Sequence, residues 1–232
     1  MSKKQRKVIN RADKFQHDIN NRPAYKIVPK NQLQADFINA LKTKPLVAGL
    51  GCAGTGKTYV AGMIAAQMLL KGEIDKIVLT RPNVATGRTL GHFPGDISEK
   101  LAPWLAPILN VLKYGLGAGD YEYRLGKTIL TQPLETIRGQ SFDNSFVIVD
   151  ESQNLGIEEL KALTTRIGDN CVMALIGDET QSDVRNGSDL TRFVEMCNRA
   201  DIDVPIIRFG IDQIVRSDIC ADLVKMFYHE NI

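Results

Sequence analysis

Residues 51–58, which read GCAGTGKT, constrain this chain more than any other segment. They fit the pattern G-x-x-x-x-G-K-[ST], in which backbone N–H groups of a glycine-rich loop surround phosphate oxygens. Glycine suits such a loop because it has no side chain to obstruct the phosphates. Lys57 would reach the β- and γ-phosphates, and Thr58 would place its hydroxyl on Mg²⁺. The pattern therefore predicts a site for a nucleoside triphosphate and Mg²⁺.

The segments on either side of the loop agree with this prediction. Residues 46–50 form an apolar run typical of a buried strand. Residues 57–71 are rich in Ala, Met and Leu and predict a helix that stops at Gly72. The N-terminus of that helix would add its partial positive charge where the phosphates lie. The alternative, a glycine-rich turn without a ligand, does not require a strand before the loop and a helix after it.

Length and charge suggest one domain with a basic extension. A chain of 232 residues suits a single α/β domain, here residues 31–232. Residues 1–30 hold nine Lys/Arg and two Asp, a local charge of +7 in a chain whose formal charge is +2. We expect this arm to be flexible. It either contacts a polyanion such as nucleic acid or serves as a solubilising tail.

The cysteines and the hydropathy pattern favour a soluble, cytoplasmic protein. The four cysteines lie far apart in the sequence and form no C-x-x-C pair, so we expect reduced thiols and no cysteine-rich zinc site. We find no run of 18 apolar residues and no hydrophobic signal core at the N-terminus. We therefore expect no membrane partner.

The order of elements predicts an α/β fold with a mostly parallel sheet. Strand-like runs alternate with helical patterns, which places helices on both faces of such a sheet. We expect Pro103 and Pro107 to break or kink the helix over residues 98–112. Residues 121–132 resemble a hairpin that turns at residues 126–127. The other predicted strands are residues 76–80, 146–150, 172–176 and 205–209, and a further predicted helix is residues 33–41.

A second motif, residues 146–151 (FVIVDE), is an apolar run that ends in two acids. A buried strand of this kind delivers Asp150 to the carboxyl edge of the sheet, beside the phosphate loop. Asp150 would hold Mg²⁺, and Glu151 would polarise the attacking water as a general base. A third run, residues 172–181, ends at Gln181, which has both a donor and an acceptor and is predicted to contact the γ-phosphate or the lytic water.

Together, GCAGTGKT, VIVDESQN and IGDETQSD resemble the PhoH-like P-loop ATPases, relatives of the first RecA-like domain of superfamily 1 helicases. The resemblance covers residues 31–228 and includes LTRP followed by LGHFPGD at residues 79–96. It implies a single RecA-like domain that hydrolyses ATP with Mg²⁺. It also implies a link to RNA or another single-stranded nucleic acid, possible helicase activity, and a homo-oligomeric ring such as a hexamer.

The resemblance also assigns residues to the nucleotide. Gln34 lies near the adenine in the corresponding family segment, although Leu33 and Phe37 stand where the family has Asn and Tyr. The predicted nucleotide-binding residues are Gln34, Gly51, Cys52, Ala53, Gly54, Thr55, Gly56, Lys57, Thr58 and Tyr59; the predicted metal ligands are Thr58 and Asp150; the predicted catalytic residues are Lys57, Glu151, Gln181, Arg216 and Arg166.

Arginines enter that set because a cation stabilises the transition state of phosphoryl transfer. We favour Arg216, then Arg166, with Arg138 as a further candidate, as a finger that crosses to the γ-phosphate of a neighbouring subunit. Pairing with a surface carboxylate is the alternative for each. Residues 81–88 (RPNVATGR) are suited to contact a phosphate backbone or to form a solvated loop, whereas we expect Trp104 to pack in a helix interface.

Three functions remain open from the residues alone. The first is an ATPase coupled to RNA or single-stranded DNA, which accounts for Glu151, Gln181, the loop that begins at Arg81 and the basic arm together. The second is a small-molecule kinase, which accounts only for the phosphate loop. The third is an ATP-gated scaffold or nucleic-acid-binding module with little turnover.

Overall fold

A computed structural model of the chain describes residues 27–82, 97–137, 139–178 and 189–230, apart from the side chains of residues 97–102 and 229. Several predictions fall outside these ranges: most of the basic arm, most of the segment at residues 81–88, Arg138 and Gln181. Within them, the predicted domain forms one α/β unit.

The described strands pair into one six-stranded sheet whose neighbours are all parallel, in the order β3-β2-β4-β5-β1-β6. Strand β5 therefore lies between β1, which leads into the phosphate loop, and β4, which leads to Asp150. The bounds are β1 Leu46–Gly51, β2 Lys76–Thr80, β3 Ile129–Thr131, β4 Ser145–Val149, β5 Cys171–Gly177 and β6 Ile206–Phe209. The sheet confirms the predicted α/β class and the strand-like runs that were identified from the sequence.

The helices lie on both faces of the sheet, as the alternating pattern predicts. Their bounds are α1 Gln32–Thr43, α2 Lys57–Lys71, α3 Ile97–Leu116, α4 Ala118–Arg124, α5 Ile157–Thr164, α6 Asp189–Arg199 and α7 Asp218–His229. Short 3₁₀ turns occupy Leu134–Thr136, Ser152–Asn154 and Ile211–Gln213. Helix α3 continues through both Pro103 and Pro107. Of the two predicted alternatives, the break is therefore wrong and the kink stays a prediction.

Each central strand is buried on both faces, which explains why its sequence is continuously apolar rather than alternating. In β4, Phe146 and Ile148 pack into the cluster that α1, α2 and α3 cover. Val147 and Val149 pack into the opposite cluster, with side chains from α5 and α6. This double burial fixes the sheet rigidly, so the residues that follow each strand are held in place at its carboxyl edge.

The predicted hairpin at residues 121–132 is wrong. The structure has helix α4 there, followed by a turn at Gly126 (φ +74°) and strand β3, which pairs parallel to β2. Helix formation is favoured by an ion pair between Asp120 and Arg124, one turn apart, at 2.8 Å. The alternation of apolar and polar residues in this segment resembles that of a strand. It misled the prediction because the helix buries only one large side chain, Tyr121, and so shows no helical pattern of apolar residues.

Candidate active site

The phosphate loop joins the end of β1 to the start of α2 through three glycines in the left-handed region. Their φ angles are +113° at Gly51, +83° at Gly54 and +87° at Gly56, a conformation that other L-residues rarely adopt. At Gly51 space is also limited, because a Cβ atom would lie 2.0 Å from the carbonyl oxygen of Phe209. The glycine pattern thus has a local cause in both backbone angle and close packing against β6.

Lys57 is buried at the base of this loop. Its Nζ donates to the carbonyl oxygens of Gly51 (2.5 Å) and Cys52 (2.7 Å) and to the hydroxyl of Thr55 (3.2 Å). Burial lowers the pKa of Lys57, and the nearby carboxylates, led by Asp178, oppose that shift. Burial also raises the pKa of the Cys52 thiol, which favours its protonated form.

Gln34 supports the loop from helix α1. Its side-chain amide donates to the carbonyl oxygen of Thr55 at 2.9 Å, and its side-chain oxygen accepts from the backbone N–H of Lys30 at 2.9 Å. The side chain is 4% exposed and would lie 2.7 Å from a Cβ added at Gly56. Gln34 therefore braces the phosphate loop in addition to being the predicted adenine contact.

Asp150 and Glu151 follow β4 and face the loop. Burial, followed by the charge of Glu151, raises the pKa of Asp150 to about 6 from 3.8, while Arg81 and Lys57 act in the opposite direction. Glu151 has a left-handed backbone conformation (φ +53°). A non-glycine residue in this region is uncommon and marks a turn whose shape is imposed by its surroundings.

Gln153 contributes to that turn and was not identified from the sequence. It is 1% exposed. Its side-chain amide donates to Glu151 Oε2 at 2.6 Å, while its side-chain oxygen accepts from the N–H of Asp178 at 3.1 Å. A Cβ added at Gly177 would lie 2.4 Å from that same oxygen. Gln153 thus holds Glu151 against the end of β5, and Gly177 is small because Gln153 occupies the space beside it.

Arg81 meets the two acids from the end of β2. Its guanidinium lies 3.9 Å from Asp150 Oδ2 and 3.6 Å from Glu151 Oε1. On its other side the guanidinium carbon is 5.5 Å from the ring centroid of Trp104, and NH1 donates to the Trp104 carbonyl oxygen at 3.4 Å. The sequence placed Arg81 in a segment suited to phosphate contacts, but not beside the acidic pair.

The phosphate loop, the two acids and Arg81 line one cleft of about 490 Å³ at the carboxyl edge of the sheet. Arg216 was predicted to act on a neighbouring subunit, yet here it lines its own chain's cleft, with Nε 2.8 Å from where a Cβ of Gly54 would stand. The residues lining the cleft include Ala53, Gly54, Gly56, Lys57, Thr58, Tyr59, Arg81, Pro107, Val111, Asp150, Glu151, Asp178, Val215 and Arg216.

Arg166 lies elsewhere. It falls between α5 and β5, where its carbonyl oxygen accepts from the N–H of Phe142 at 2.8 Å. This is the amino end of β5, whereas the phosphate loop follows the carboxyl end of the parallel strand β1. Arg166 is therefore at the opposite edge of the sheet from its own chain's cleft, and Gln181 lies outside the described residues.

The residues of the cleft fit a magnesium–nucleotide complex. A carboxylate and a hydroxyl, from Asp150 and Thr58, are the hard oxygen donors that Mg²⁺ prefers. Among the described residues no group of three His, Cys, Asp or Glu side chains could hold a metal by itself. Mg²⁺ in nucleotide sites usually takes most of its ligands from water and the substrate phosphates. The loop amides at the start of α2 and the Lys57 ammonium suit the phosphates themselves.

In the part of the chain that the structure describes, no helix is long and apolar enough to cross a membrane.

Comparison with known proteins identifies the family of this chain. Residues 26–228 match the family model described as PhoH-like protein. The chain is 36% identical to Protein PhoH of Escherichia coli (strain K12) over 200 residues, which are 84% of this chain and 56% of that protein. It is 37% identical to the PhoH-like protein of Bacillus subtilis (strain 168) over 205 residues, 87% of this chain and 64% of the relative. The chain thus spans about three fifths of the length of these relatives.

Among solved structures, the chain is similar to the UvsW helicase from bacteriophage T4, at 13% identity and a TM-score of 0.49. That match covers 85% of this chain and 67% of the helicase chain. The family match extends over the whole described sheet and over every residue of the cleft. This chain belongs to the PhoH family of P-loop proteins.

Proposed function

We propose that this protein hydrolyses ATP in a Mg²⁺-dependent reaction. The observation that carries the proposal is the convergence of Lys57, Asp150 and Glu151 in one cleft, beside a loop whose glycines leave room for phosphates. When bound, Mg²⁺ would neutralise charge on the β- and γ-phosphates. Asp150 and Thr58 are the residues that would hold it.

The remaining roles belong to side chains of this chain. Lys57 would exchange its carbonyl partners for phosphate oxygens, which are stronger acceptors for an ammonium group. Glu151, with one carboxylate oxygen held by Gln153, would accept a proton from the attacking water through its other oxygen. Arg216 lies over Gly54 in the same cleft, and in this proposal it would stabilise charge on the phosphates of its own subunit. Gln181 remains a candidate contact for the γ-phosphate.

We further propose that the hydrolysis is coupled to RNA or another single-stranded nucleic acid, with possible strand separation. Arg81, which lines the cleft and is partly exposed, is a suitable phosphate contact, and the basic residues before position 31 would add sequence-independent attraction. In this proposal the subunits assemble as a ring, such as a hexamer, in the cytoplasm. Arg166 is then the candidate for an interface finger, because it lies at the sheet edge away from its own cleft.

The test measures phosphate release from ATP with and without oligouridine RNA. Glu151→Gln is expected to keep nucleotide affinity and to lower turnover by about 10²–10⁴-fold, because it removes the general base. Glu158→Gln, an exposed glutamate on α5, serves as the matched control and is expected to behave as the wild type. Stimulation by RNA supports the coupled ATPase. Transfer to a small acceptor would support a kinase, and binding without turnover would support an ATP-gated scaffold.

A further inference from the structure

The expectation that Trp104 packs in a helix interface is wrong. Its side chain is 51% exposed, although α3 carries a well-packed face made by Leu105, Ile108 and Leu112, each fully buried. Trp104 instead shares the neighbouring face of α3 with Pro107 and Val111, three and seven residues further along, and both of those line the active-site cleft. A large aromatic ring, half of it exposed, therefore lies on α3 next to residues that line the cleft.

A cation accompanies this ring. The Arg81 guanidinium lies 5.5 Å from the Trp104 ring centroid and contacts the Trp104 carbonyl oxygen. The combination of an exposed indole and a guanidinium matches what a single-stranded nucleic acid offers, because a base can stack on the indole while a phosphate pairs with the guanidinium. The positive charge of Arg81 argues for a phosphate-bearing strand rather than an apolar peptide as the occupant of this surface.

The same guanidinium also touches the catalytic carboxylates. Its distances of 3.9 Å to Asp150 and 3.6 Å to Glu151 are longer than those of a well-formed charge-assisted hydrogen bond. Arg81 is partly exposed, at 23% of its side-chain surface. A phosphate that binds in bidentate fashion can therefore compete for it.

We propose that Trp104 and Arg81 form a contact site for single-stranded nucleic acid, in which a base stacks on Trp104 and a backbone phosphate draws Arg81 away from Asp150 and Glu151. This inference rests on the proposed function and adds a location and a coupling step to it. Occupation of the site frees the two carboxylates for their roles in the cleft, so a bound strand accelerates hydrolysis. Arg81 is a positioning residue in this scheme, since it acts on the reaction through Glu151.

Trp104 is the single tryptophan of the chain, so the intrinsic tryptophan fluorescence of the protein reports on this site alone. The intrinsic fluorescence of the full-length protein is followed while 12-residue oligouridine or oligothymidine is added. Binding of the same oligonucleotides, labelled at one end with fluorescein, is measured in parallel by anisotropy. We expect the tryptophan emission to be quenched along the same titration curve as the anisotropy. Stacking on an indole does not depend on whether the sugar is ribose or deoxyribose, so quenching by either oligouridine or oligothymidine supports the site. A preference for one of the two identifies RNA or DNA as the strand that the site binds.

Variants separate stacking from general attraction. Trp104→Ala is expected to weaken oligonucleotide binding about 5- to 100-fold, the effect of losing one base–aromatic stack, and to abolish stimulation of ATP hydrolysis. Trp104→Phe keeps an aromatic face and is expected to retain most of the affinity. Tyr123→Ala is the matched control. Tyr123 is 59% exposed and has the Lys127 ammonium 4.0 Å from its ring centroid, but it lies on α4 and is not part of the cleft lining.

The outcomes distinguish this inference from the proposed function. If the oligonucleotides bind and stimulate hydrolysis but tryptophan emission is unchanged and Trp104→Ala binds as the wild type does, the contact site is refuted and the coupled ATPase stands. If no oligonucleotide binds the wild-type protein, the contact site and the coupling to nucleic acid are both refuted, whereas ATP hydrolysis itself is decided by phosphate release without oligonucleotide. The fluorescence titration needs no substitution, so the inference stays testable even if Trp104→Ala fails to fold.

Discussion

Replacing Asp150 by Asn is expected to stabilise this protein while removing its activity. Asp150 is 13% exposed and adjoins Glu151, and together burial and that charge raise its pKa from 3.8 to about 6. A difference of this size between the pKa values of the unfolded and folded chains lowers the free energy of unfolding by about 3 kcal/mol at neutral pH. Arg81 loses one of its two carboxylate partners in the variant, so we expect a net gain of about 1–3 kcal/mol.

The sign of the pH dependence follows from the raised pKa. Well below pH 3.8 the carboxyl is protonated in both the folded and the unfolded chain, and Asp150 has no electrostatic cost. The cost grows as the pH rises from 3.8, where the unfolded chain ionises, to about 6, where the buried group in the folded chain also ionises, and it is constant above that. The advantage of Asp150→Asn should therefore be roughly a third of its full size near pH 4.5 and complete above pH 7. The amide oxygen of Asn can still accept the Glu151 N–H that the carboxylate accepts.

The assay is thermal unfolding followed by circular dichroism in EDTA, from pH 4.5 to pH 8. For a domain of this size, 1–3 kcal/mol is roughly 3–10 °C in Tm. Asp222→Asn, at an exposed position on α7, is the control and should change Tm little at any pH. The reasoning is refuted if Asp150→Asn melts no higher than the wild type at pH 7.5, or if its gain is the same at pH 4.5.

Three further outcomes are expected. Gly51→Ala should lower the free energy of unfolding, measured in urea, by more than about 3 kcal/mol, because its Cβ would meet a β6 carbonyl oxygen at 2.0 Å. Gly72→Ala, with φ +69° and open space around it, should lower it by about 1 kcal/mol. Equal losses would contradict the packing argument. Gln153→Ala should lower kcat about 10- to 100-fold and leave the nucleotide Kd nearly unchanged, since it releases Glu151 but no phosphate contact; a matching loss of affinity would count against it. A mixture of Arg216→Ala and Glu151→Gln subunits should not recover turnover if Arg216 serves its own subunit, and recovery would instead identify a finger that crosses the interface.

The sequence predicted the sheet well because the strands are buried on both faces. Continuous apolar runs such as residues 172–176 are distinctive only in that environment, and each one corresponds to a strand. The bounds of α2 were also predictable, since Gly72 adopts the left-handed conformation that ends the helix. Rules that use only the local sequence were sufficient where a single glycine conformation ended an element, or where burial on both faces of the sheet produced a continuous apolar run.

Contacts between distant segments were not predictable in the same way. Gln153 looked like an ordinary polar residue, because its role depends on β5 lying beside β4 and on the absence of a side chain at Gly177. The exposure of Trp104 depends on the rotation of α3 about its axis, which places Leu105 in the core and turns its neighbour outward. The position of Arg216 over Gly54 depends on the path of the chain after β6, which includes a hydrogen bond from the Val215 N–H to the Gly54 carbonyl oxygen.

The Glu151 carboxylate, which we propose as the general base, is held unequally from its two sides, and this difference suggests where hydrolysis could be regulated. On the β5 side, Gln153 is buried and binds Glu151 at 2.6 Å, so that contact fixes the carboxylate in place. On the β2 side, Arg81 is partly exposed and reaches Glu151 only at 3.6 Å. A ligand at the surface can displace the second contact far more easily than the first. If the rate of hydrolysis responds to a bound strand, the response should therefore pass through Arg81, and Arg81→Lys, which keeps the charge but lacks the planar fork, should reduce stimulation more than basal turnover.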